Sequence, residues 1–418
     1  MIQRTLSSKT IYLTRLLTWC RTNKFSDSTT TKDGDGPPNT NESQNESFAN
    51  DFETTPTGEE NVARLLKESA TYSDAKDKNW STSPYPAGVP PSVEDGNLVK
   101  PSIDPLDTCV ILFPGQGTLK VGLVNKYLHF PQAKELFYIA NEILNYNLLD
   151  LCLKGPQKKL DETRFNQPAT VVASLAALEQ LREERPRVFE TCKAVAGYSV
   201  GELTSLIFSG VLSFEDGIRL VSVRGTAMEY ASHKTPQGMM SVFCTPEAKV
   251  HEACRDAIKW ARDIGVDNPI CQVAIYLYTQ SKILAGHKET LEYIEKNAKK
   301  YGLINLTKLP VSGAFHTKLM EPALKSFCKM FNTLEIDEPR CQVYSNYKGH
   351  MYGNIRLIRK YLPKQIVSPV KWEQTIQCMY NRPAGMAYPR TFDVGSGGRM
   401  KTILKLINTK AHEQCIAV

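Results

Sequence analysis

Apolar and polar residues alternate along residues 108–418 in blocks that predict strands followed by amphipathic helices. The apolar runs Cys109–Phe113 and Lys193–Ala196 are short enough for buried strands. After the second run, Leu203, Leu206 and Ile207 recur at helical spacing. Strands that alternate with helices are typical of a parallel sheet covered by helices. We therefore predict an α/β fold.

Three longer helices are indicated between and after these strands. The patterns predict helices over Ala133–Leu153 and Ala169–Leu181, and a third that ends near Ala231. Ser213, with Asp216 three residues later, resembles a capping box and predicts where the third helix begins.

The pattern becomes less regular after residue 235. Short strands and helices alternate there, which suggests a small α+β insertion in the order strand, helix, strand, strand, helix. We expect the insertion to end where Lys308–Ser312 rejoins the main sheet. The predicted elements are the strands Met239–Phe243, Val273–Leu277 and Lys282–Ala285 and the helices Ala248–Ala261 and Glu289–Lys299.

Charge divides the chain into three parts. Residues 1–25 are basic, rich in hydroxyl groups and free of Asp and Glu, which is typical of a mitochondrial transit peptide. Residues 26–107 carry 16 acidic and 6 basic residues and few apolar ones, so we predict a disordered acidic linker. The net charge of the whole chain is +7, and residues 108–418 carry an excess of about 12 positive charges, which favours an anionic partner or substrate.

Several classes of function find no support in the composition. The 11 cysteines are scattered without a C-x-x-C pair or a Cys/His metal-ligand spacing, so we predict a reducing compartment and no metal site. The sequence contains no apolar run long enough to cross a bilayer. We expect no nucleic-acid partner.

The segment Gly197-Tyr198-Ser199-Val200-Gly201 has the spacing of a nucleophile elbow, the sharp turn that exposes a nucleophile between a strand and a helix. Its glycines permit the tight backbone and leave room for a substrate. At the start of the following helix, the N–H of Val200 is placed to receive an oxyanion.

A serine nucleophile also needs a base, a second oxyanion donor and a group that selects the substrate. Among the seven histidines, His316 follows an apolar strand end and a glycine, where a loop can direct it into a cleft. The turn Gly115-Gln116-Gly117 follows the first strand and could supply an oxyanion N–H or contact a phosphate, although the longer phosphate-loop spacing is absent. Arg224 is either a surface arginine with a buried stem or a guanidinium that binds a substrate carboxylate.

Over Thr108–Leu406 the chain resembles the malonyl-CoA:acyl carrier protein transacylases, specifically their mitochondrial form. The resemblance rests on the order and spacing of several motifs, which together are far more specific than any one of them. They are Phe113–Gly117, Asn166–Ala169, Gly197–Glu202, Val223–Gly225, Val311–Thr317, Val367–Trp372 and Asp393–Gly397.

The resemblance implies a ping-pong transfer with an acyl-serine intermediate. Ser199 would carry the malonyl group, and His316, oriented by a backbone carbonyl, would act as general base and then acid. The N–H groups of Val200 and Gln116 would form the oxyanion hole, and Arg224 would pair with the malonate carboxylate. An acetyl group would leave that buried guanidinium unpaired, which favours malonyl-CoA.

The resemblance further implies a hydrolase-like core, residues 108–235 and 310–418, interrupted by a ferredoxin-like subdomain, residues 236–309. Phe315 would crowd an α-methyl branch and so favour malonyl over methylmalonyl groups. The partners would be malonyl-CoA and an acidic acyl carrier protein, with no further cofactor. The protein would act in mitochondrial fatty acid synthesis in the matrix, and we expect a monomer.

The chain departs from the family pattern at three places. Ile275 stands where many relatives have Asn before a Pro-Gly-Gln turn, and Thr118-Leu119 replaces a common Ser-Gln pair. Ser396 replaces a usual proline in the turn near the C-terminus, which would loosen the carbonyls expected to hold His316. These differences put rate and selectivity in question rather than the reacting groups.

Two other functions remain open on the residues. A serine hydrolase, either an esterase or a patatin-like lipase, would use the same elbow but needs an acid close to the histidine, for which Asp267 is the candidate. A carrier-protein-binding scaffold would keep the elbow without catalysis.

Overall fold

The computed structural model of the protein describes residues 104–383 and 385–418. The predicted transit peptide, residues 1–25, lies outside these residues, as does the predicted linker except for residues 104–107, where Pro105–Asp107 form a 3-10 helix. Within the described residues, no helix has both the length and the apolar character that a bilayer crossing requires.

Five parallel strands form the main sheet in the order β10-β9-β1-β2-β7. Every residue of β1 is buried, and β2 is buried over its last four residues, as expected for strands in the middle of a covered parallel sheet. The strands are β1 (Cys109–Phe113), β2 (Cys192–Gly197), β7 (Gln342–Val343), β9 (Arg390–Asp393) and β10 (Cys415–Ala417).

Helices cover this sheet, and α4 is buried on nearly all sides along its middle. The helices before the second sheet are α1 (Pro131–Leu144), α2 (Leu148–Lys154), α3 (Gln157–Leu160), α4 (Thr163–Glu184), α5 (Arg187–Thr191), α6 (Gly201–Phe208) and α7 (Phe214–Ser232). Those after it are α10 (Glu321–Phe331), α11 (Ile355–Tyr361), α12 (Trp372–Tyr380), α13 (Arg399–Ile407) and α14 (Thr409–Glu413).

Two of the predicted helices have different bounds in the structure. The predicted helix 133–153 is two helices, because Asn145 adopts a left-handed conformation and Asn147 accepts a hydrogen bond from the N–H of Asp150 as the N-cap of α2. The helix predicted from Ala169 begins six residues earlier and runs through Pro168. The prediction of α7 was confirmed, since the Ser213 hydroxyl accepts from the N–H of Asp216 at its start.

The second sheet has the order β6-β3-β5-β4-β8, antiparallel except for the β4–β8 pair. Without β8, its strands and helices follow one another as βαββαβ, the ferredoxin-like arrangement, so the predicted fold class is confirmed. The bounds of the subdomain at residues 236 and 309 stay a prediction. The elements are β3 (Gln237–Cys244), α8 (Val250–Asp263), β4 (Cys271–Tyr278), β5 (Ser281–His287), α9 (Lys288–Asn297), β6 (Leu303–Lys308) and β8 (Val370–Lys371).

One prediction about this region was wrong. Residues 308–312 do not rejoin the main sheet, because β6, which the sequence pattern did not reveal, pairs with β3 in the second sheet and the chain then leaves as a loop. Four of the six β6 residues are exposed and one is only half-buried. The strand therefore lacks the continuous apolar run by which the others were found.

Candidate active site

Ser199 lies in the turn between β2 and α6, at the carboxyl end of the main sheet, where parallel α/β folds bind ligands. Its φ of 54° is in the left-handed region that residues with a side chain rarely occupy. A Cβ on Gly197 would lie 1.8 Å from the carbonyl oxygen of Gly201, and one on Gly201 would lie 2.5 Å from that of Pro114. The two glycines are therefore required by close backbone approach, as the elbow predicts.

His316 faces the serine across the site. Its Nε2 lies 2.8 Å from Ser199 Oγ, and its Nδ1 lies 2.7 Å from the carbonyl oxygen of Gln365. A carbonyl only accepts hydrogen bonds, so Nδ1 carries the proton and Nε2 is free to accept one from the serine. His316 also has a positive φ, 61°, so both residues of this pair have a strained backbone.

The electrostatics keep this imidazole neutral. Burial and, next, the neighbouring Arg224 guanidinium lower the pKa of His316 to about 3, against the hydrogen bond to Gln365. The side chain is therefore in the form that can accept the serine proton at any pH well above 3. It can therefore act as a general base for Ser199.

Two predicted relationships of His316 are not as expected. Ser396 does not touch the carbonyl that holds the histidine, since its hydroxyl donates to Asp393 and accepts from the N–H of Met400. Asp267, the acid considered for a hydrolase, is exposed and accepts from the side chain of its neighbour Asn268, and a carbonyl occupies the Nδ1 position where an acid would act.

Arg224 lies in the same site and is only 1% exposed. Its guanidinium donates to Gln167 Oε1 at 2.7 Å, to Gln365 Oε1 at 2.8 Å and to Ser199 Oγ at 3.3 Å. All three acceptors are neutral, and within residues 104–383 and 385–418 Arg224 takes part in no ion pair. Burial lowers its pKa to about 10, so it stays charged at neutral pH and suits a carboxylate ligand.

The two predicted oxyanion donors come from the turns after β1 and β2. Gln116 follows β1 and Val200 follows β2, its neighbour in the sheet, and neither backbone N–H donates a hydrogen bond within the described part of the chain. Unpaired amides beside a serine are what an oxyanion requires.

Polar residues at the start of α4 hold the Gln116 turn in place. The Gln116 side chain donates to the Thr163 hydroxyl, and its Oε1 accepts from Gln167 Nε2. The N–H of Gly117 donates to Asn166 Oδ1. These contacts give Asn166 and Gln167 of the Asn166–Ala169 motif a role.

Four residues of the site were missed by the sequence reasoning. Asn346 and Gln365 bind the backbone of Ser199. Glu202 accepts a hydrogen bond from each of them, and Tyr352 donates its hydroxyl to Glu202. Glu202 had a signal, because it is an acid that directly follows the elbow and precedes apolar residues at helical spacing. The others come from loops or a 3-10 helix in which no pattern distinguishes them.

Two further residues singled out from the sequence are buried. Phe315 is buried next to His316, and its role in excluding branched substrates stays a prediction. Ile275 is buried in β4 and pairs with Val370 of β8, five residues beyond Gln365. In residues 104–383 and 385–418 no group of three or more His, Cys, Asp or Glu side chains could hold a metal ion.

Comparison with known proteins identifies the family. Residues 110–386 match the acyl transferase domain family. The chain is 46% identical to a protein of Drosophila melanogaster named "Probable malonyl-CoA-acyl carrier protein transacylase, mitochondrial", over 76% of this chain and 84% of that protein. It is 43% identical to the malonyl-CoA-acyl carrier protein transacylase, mitochondrial, of Homo sapiens, over 74% of this chain and 79% of the human one.

Solved structures agree with these sequences. The malonyl-CoA:acyl carrier protein transacylase of Xanthomonas oryzae superposes with a TM-score of 0.67 at 26% identity, covering 74% of this chain and 94% of that one. A malonyl-transacylase in complex with its type II PKS acyl-carrier protein gives a TM-score of 0.66 at 26% identity, covering 74% of this chain and 96% of that one. The chain therefore belongs to the acyl transferase domain family and, within it, to the mitochondrial malonyl-CoA-acyl carrier protein transacylases.

Proposed function

We propose that this protein transfers the malonyl group from malonyl-CoA to the phosphopantetheine thiol of acyl carrier protein through a malonyl ester on Ser199. The observation that carries the proposal is the buried, charged Arg224 guanidinium 3.3 Å from Ser199 Oγ, with only neutral acceptors around it. A nucleophile beside a cation that makes no direct ion pair suits an acyl group that ends in a carboxylate. The names of the relatives agree with this substrate.

In the first half-reaction, His316 Nε2 takes the proton of Ser199 Oγ as that oxygen attacks the thioester carbonyl carbon. The N–H groups of Val200 and Gln116 donate to the oxyanion that forms. The carbon–sulfur bond then breaks, and His316 returns the proton to the coenzyme A sulfur. The second half-reaction reverses these steps, with the carrier protein's thiol as the nucleophile.

Arg224 selects the acyl group in this proposal. A malonyl carboxylate gives the guanidinium a charged acceptor, whereas an acetyl group offers none. Phe315, beside the base, would limit branching next to the thioester carbonyl. The chemistry uses only backbone and side-chain groups of a single chain and its two substrates, so we propose no cofactor and a monomeric enzyme.

The proposed location is the mitochondrial matrix. The fly and human relatives are named mitochondrial, and residues 1–25 have the composition of a transit peptide. Fusion of residues 1–25 to a fluorescent protein and fractionation of mitochondria test this proposal, which fails if the fusion stays outside the organelle.

Mass spectrometry after brief exposure to malonyl-CoA tests the function directly. We expect a malonyl adduct on Ser199 that disappears when carrier protein bearing phosphopantetheine is added, and no adduct in Ser199→Ala. Ser205→Ala, which changes a buried serine on α6, is the matched control and keeps the adduct. Hydrolysis of malonyl-CoA that far outpaces transfer to the carrier protein would favour the serine hydrolase instead.

A further inference from the structure

The backbone of Ser199 is held on both sides by amide side chains. Its N–H donates to Asn346 Oδ1 at 2.7 Å, and its carbonyl oxygen accepts from Gln365 Nε2 at 2.7 Å. Asn346 also donates to the carbonyl of Gly197 at 2.8 Å. Since the φ of Ser199 is 54°, these bonds keep the nucleophile in a conformation that the chain would otherwise leave.

Both anchors meet at one buried carboxylate. Glu202 is 0% exposed, and its Oε2 accepts from Gln365 Nε2 at 2.8 Å. Its Oε1 accepts from the backbone N–H of Asn346 at 3.2 Å and from the hydroxyl of Tyr352. Three donors converge on this carboxylate, which suits an ionised acid because an ionised carboxylate only accepts hydrogen bonds.

The carboxylate decides how the Gln365 amide is turned. With Nε2 directed to Glu202 and to the Ser199 carbonyl, Oε1 faces Arg224 and accepts from its guanidinium at 2.8 Å. A protonated Glu202 carries an O–H group, which must donate a hydrogen bond to a partner that donates to Glu202 in the structure. Where that partner is Gln365, the amide must rotate, which turns its NH2 group toward Arg224 and removes its hydrogen bond to Ser199.

We infer that Glu202 is a positioning residue for the transfer reaction: its ionised carboxylate fixes the amide of Gln365, and through it Arg224 and the strained backbone of Ser199, so that protonation of Glu202 slows acylation. This inference rests on the function proposed above. It assigns Glu202 no contact with the substrate.

The titratable groups near Glu202 keep their charge near neutral pH, whereas Glu202 itself changes charge there. Burial raises the pKa of Glu202 to about 7, although its hydrogen bonds with Tyr352, Gln365 and Asn346 and the charge of Arg224 act in the opposite direction. Arg224, on α7, stays charged, and burial raises the pKa of Tyr352, so its hydroxyl stays protonated. His316, reached through Gln365, is neutral throughout this range.

The test is the rate of malonyl-Ser199 formation between pH 5 and 9, measured by rapid quench and mass spectrometry. We expect the wild-type rate to fall as the pH drops below about 7, approaching tenfold per pH unit. Glu202→Gln, which imitates the protonated acid, should be slow and nearly independent of pH. Glu179→Gln, a matched change of a buried glutamate on α4, should keep the wild-type profile.

A second variant separates positioning from loss of folding. Tyr352→Phe removes one hydrogen bond that favours the ionised carboxylate, so the fall in rate should move to higher pH while the rate at pH 9 stays near that of wild type. The inference is overturned if Glu202→Gln retains the wild-type pH profile or if Tyr352→Phe leaves the fall in rate unmoved. Absence of any malonyl ester on wild-type Ser199 would instead overturn the proposed function.

Discussion

The groups around the Ser199 hydroxyl differ from the groups around the Ser199 backbone. Around the hydroxyl, hydrogen-bond donors lack an acceptor or an acidic partner, whereas around the backbone the polar side chains are hydrogen-bonded to one another. Within the described residues, the N–H groups of Val200 and Gln116 have no acceptor and Arg224 has no acidic partner. Behind the serine, both ends of the Asn346 and Gln365 amides and both oxygens of Glu202 are hydrogen-bonded.

This difference separates groups that meet the substrate from groups that hold the site. Buried polar groups in a folded protein are normally paired, so unpaired donors next to a nucleophile mark where substrate oxygens bind. Fully paired groups have no capacity for a ligand but fix the geometry of those that do. Each of the following predictions disturbs one side and asks whether the other responds.

The largest effect is expected on the reacting side, from His316→Ala. Without the base, both half-reactions should slow by about 100-fold or more, because the proton of Ser199 Oγ has no acceptor of comparable basicity. Single-turnover rates for malonyl-CoA and for carrier protein check this. His287→Ala, which removes a buried histidine of β5, is the control and should leave both rates near wild type. A loss in only one half-reaction would contradict a base shared by both.

Arg224→Ala should change selectivity more than it changes the acylation machinery. A charge-assisted hydrogen bond contributes about 1.5–3 kcal/mol, so preference for malonyl- over acetyl-CoA should fall by roughly 10- to 100-fold. The ratio of kcat/KM values for the two substrates measures it. Arg340→Ala removes another part-buried arginine, one that donates to the carbonyls of Phe208 and Ser209, and serves as the control. An unchanged ratio would mean that the carboxylate binds elsewhere.

Asn346→Ala tests the supporting side. It leaves the N–H of Ser199 and the carbonyl of Gly197 without their partner, which should lower the free energy of unfolding by about 1–3 kcal/mol. Acylation should slow as well, because the backbone of the nucleophile is no longer held, while the preference for malonyl-CoA remains. Chemical denaturation and the acylation rate are the measurements, with exposed Asn332→Ala as the control. Lost selectivity would show that the two sides are not separate.

The sequence allowed most of the reacting side to be predicted and almost none of the supporting side. Ser199, with its glycines, is recognisable because a tight turn restricts which residues fit within five positions. His316 stands in a loop after a glycine, and Arg224 interrupts an apolar helix face. Chemistry and local backbone shape therefore left a signal close to each of these residues.

The supporting residues left no such signal. Asn346 and Gln365 lie 147 and 166 residues beyond Ser199 and reach it only when the whole sheet is assembled. Neutral amides are common on protein surfaces, so their residue type alone predicts nothing. The same limit explains the break at Asn145 within the predicted helix 133–153 and the mostly exposed strand β6, where local conformation and pairing outweighed the apolar pattern.

The smallest expected effect is a difference in how the two sides link stability to protons. The folded-state pKa of His316 is lowered from 6.5 to about 3, so the unfolded chain binds more protons there and stability is lost as the pH falls below 6.5. The folded-state pKa of Glu202 is raised from 4.5 to about 7, so the folded chain binds more protons and stability is gained as the pH falls from 7 toward 4.5. Between pH 6.5 and 4.5 the two contributions oppose each other.

Removing the Glu202 carboxylate by Glu202→Gln should therefore make the free energy of unfolding fall with decreasing pH more steeply than in wild type, by about 1 kcal/mol per pH unit. Urea denaturation at pH 6.5, 5.5 and 4.5 measures the difference, with the exposed Glu247→Gln as the reference. Parallel curves for wild type and Glu202→Gln would mean that Glu202 is ionised well below neutral pH.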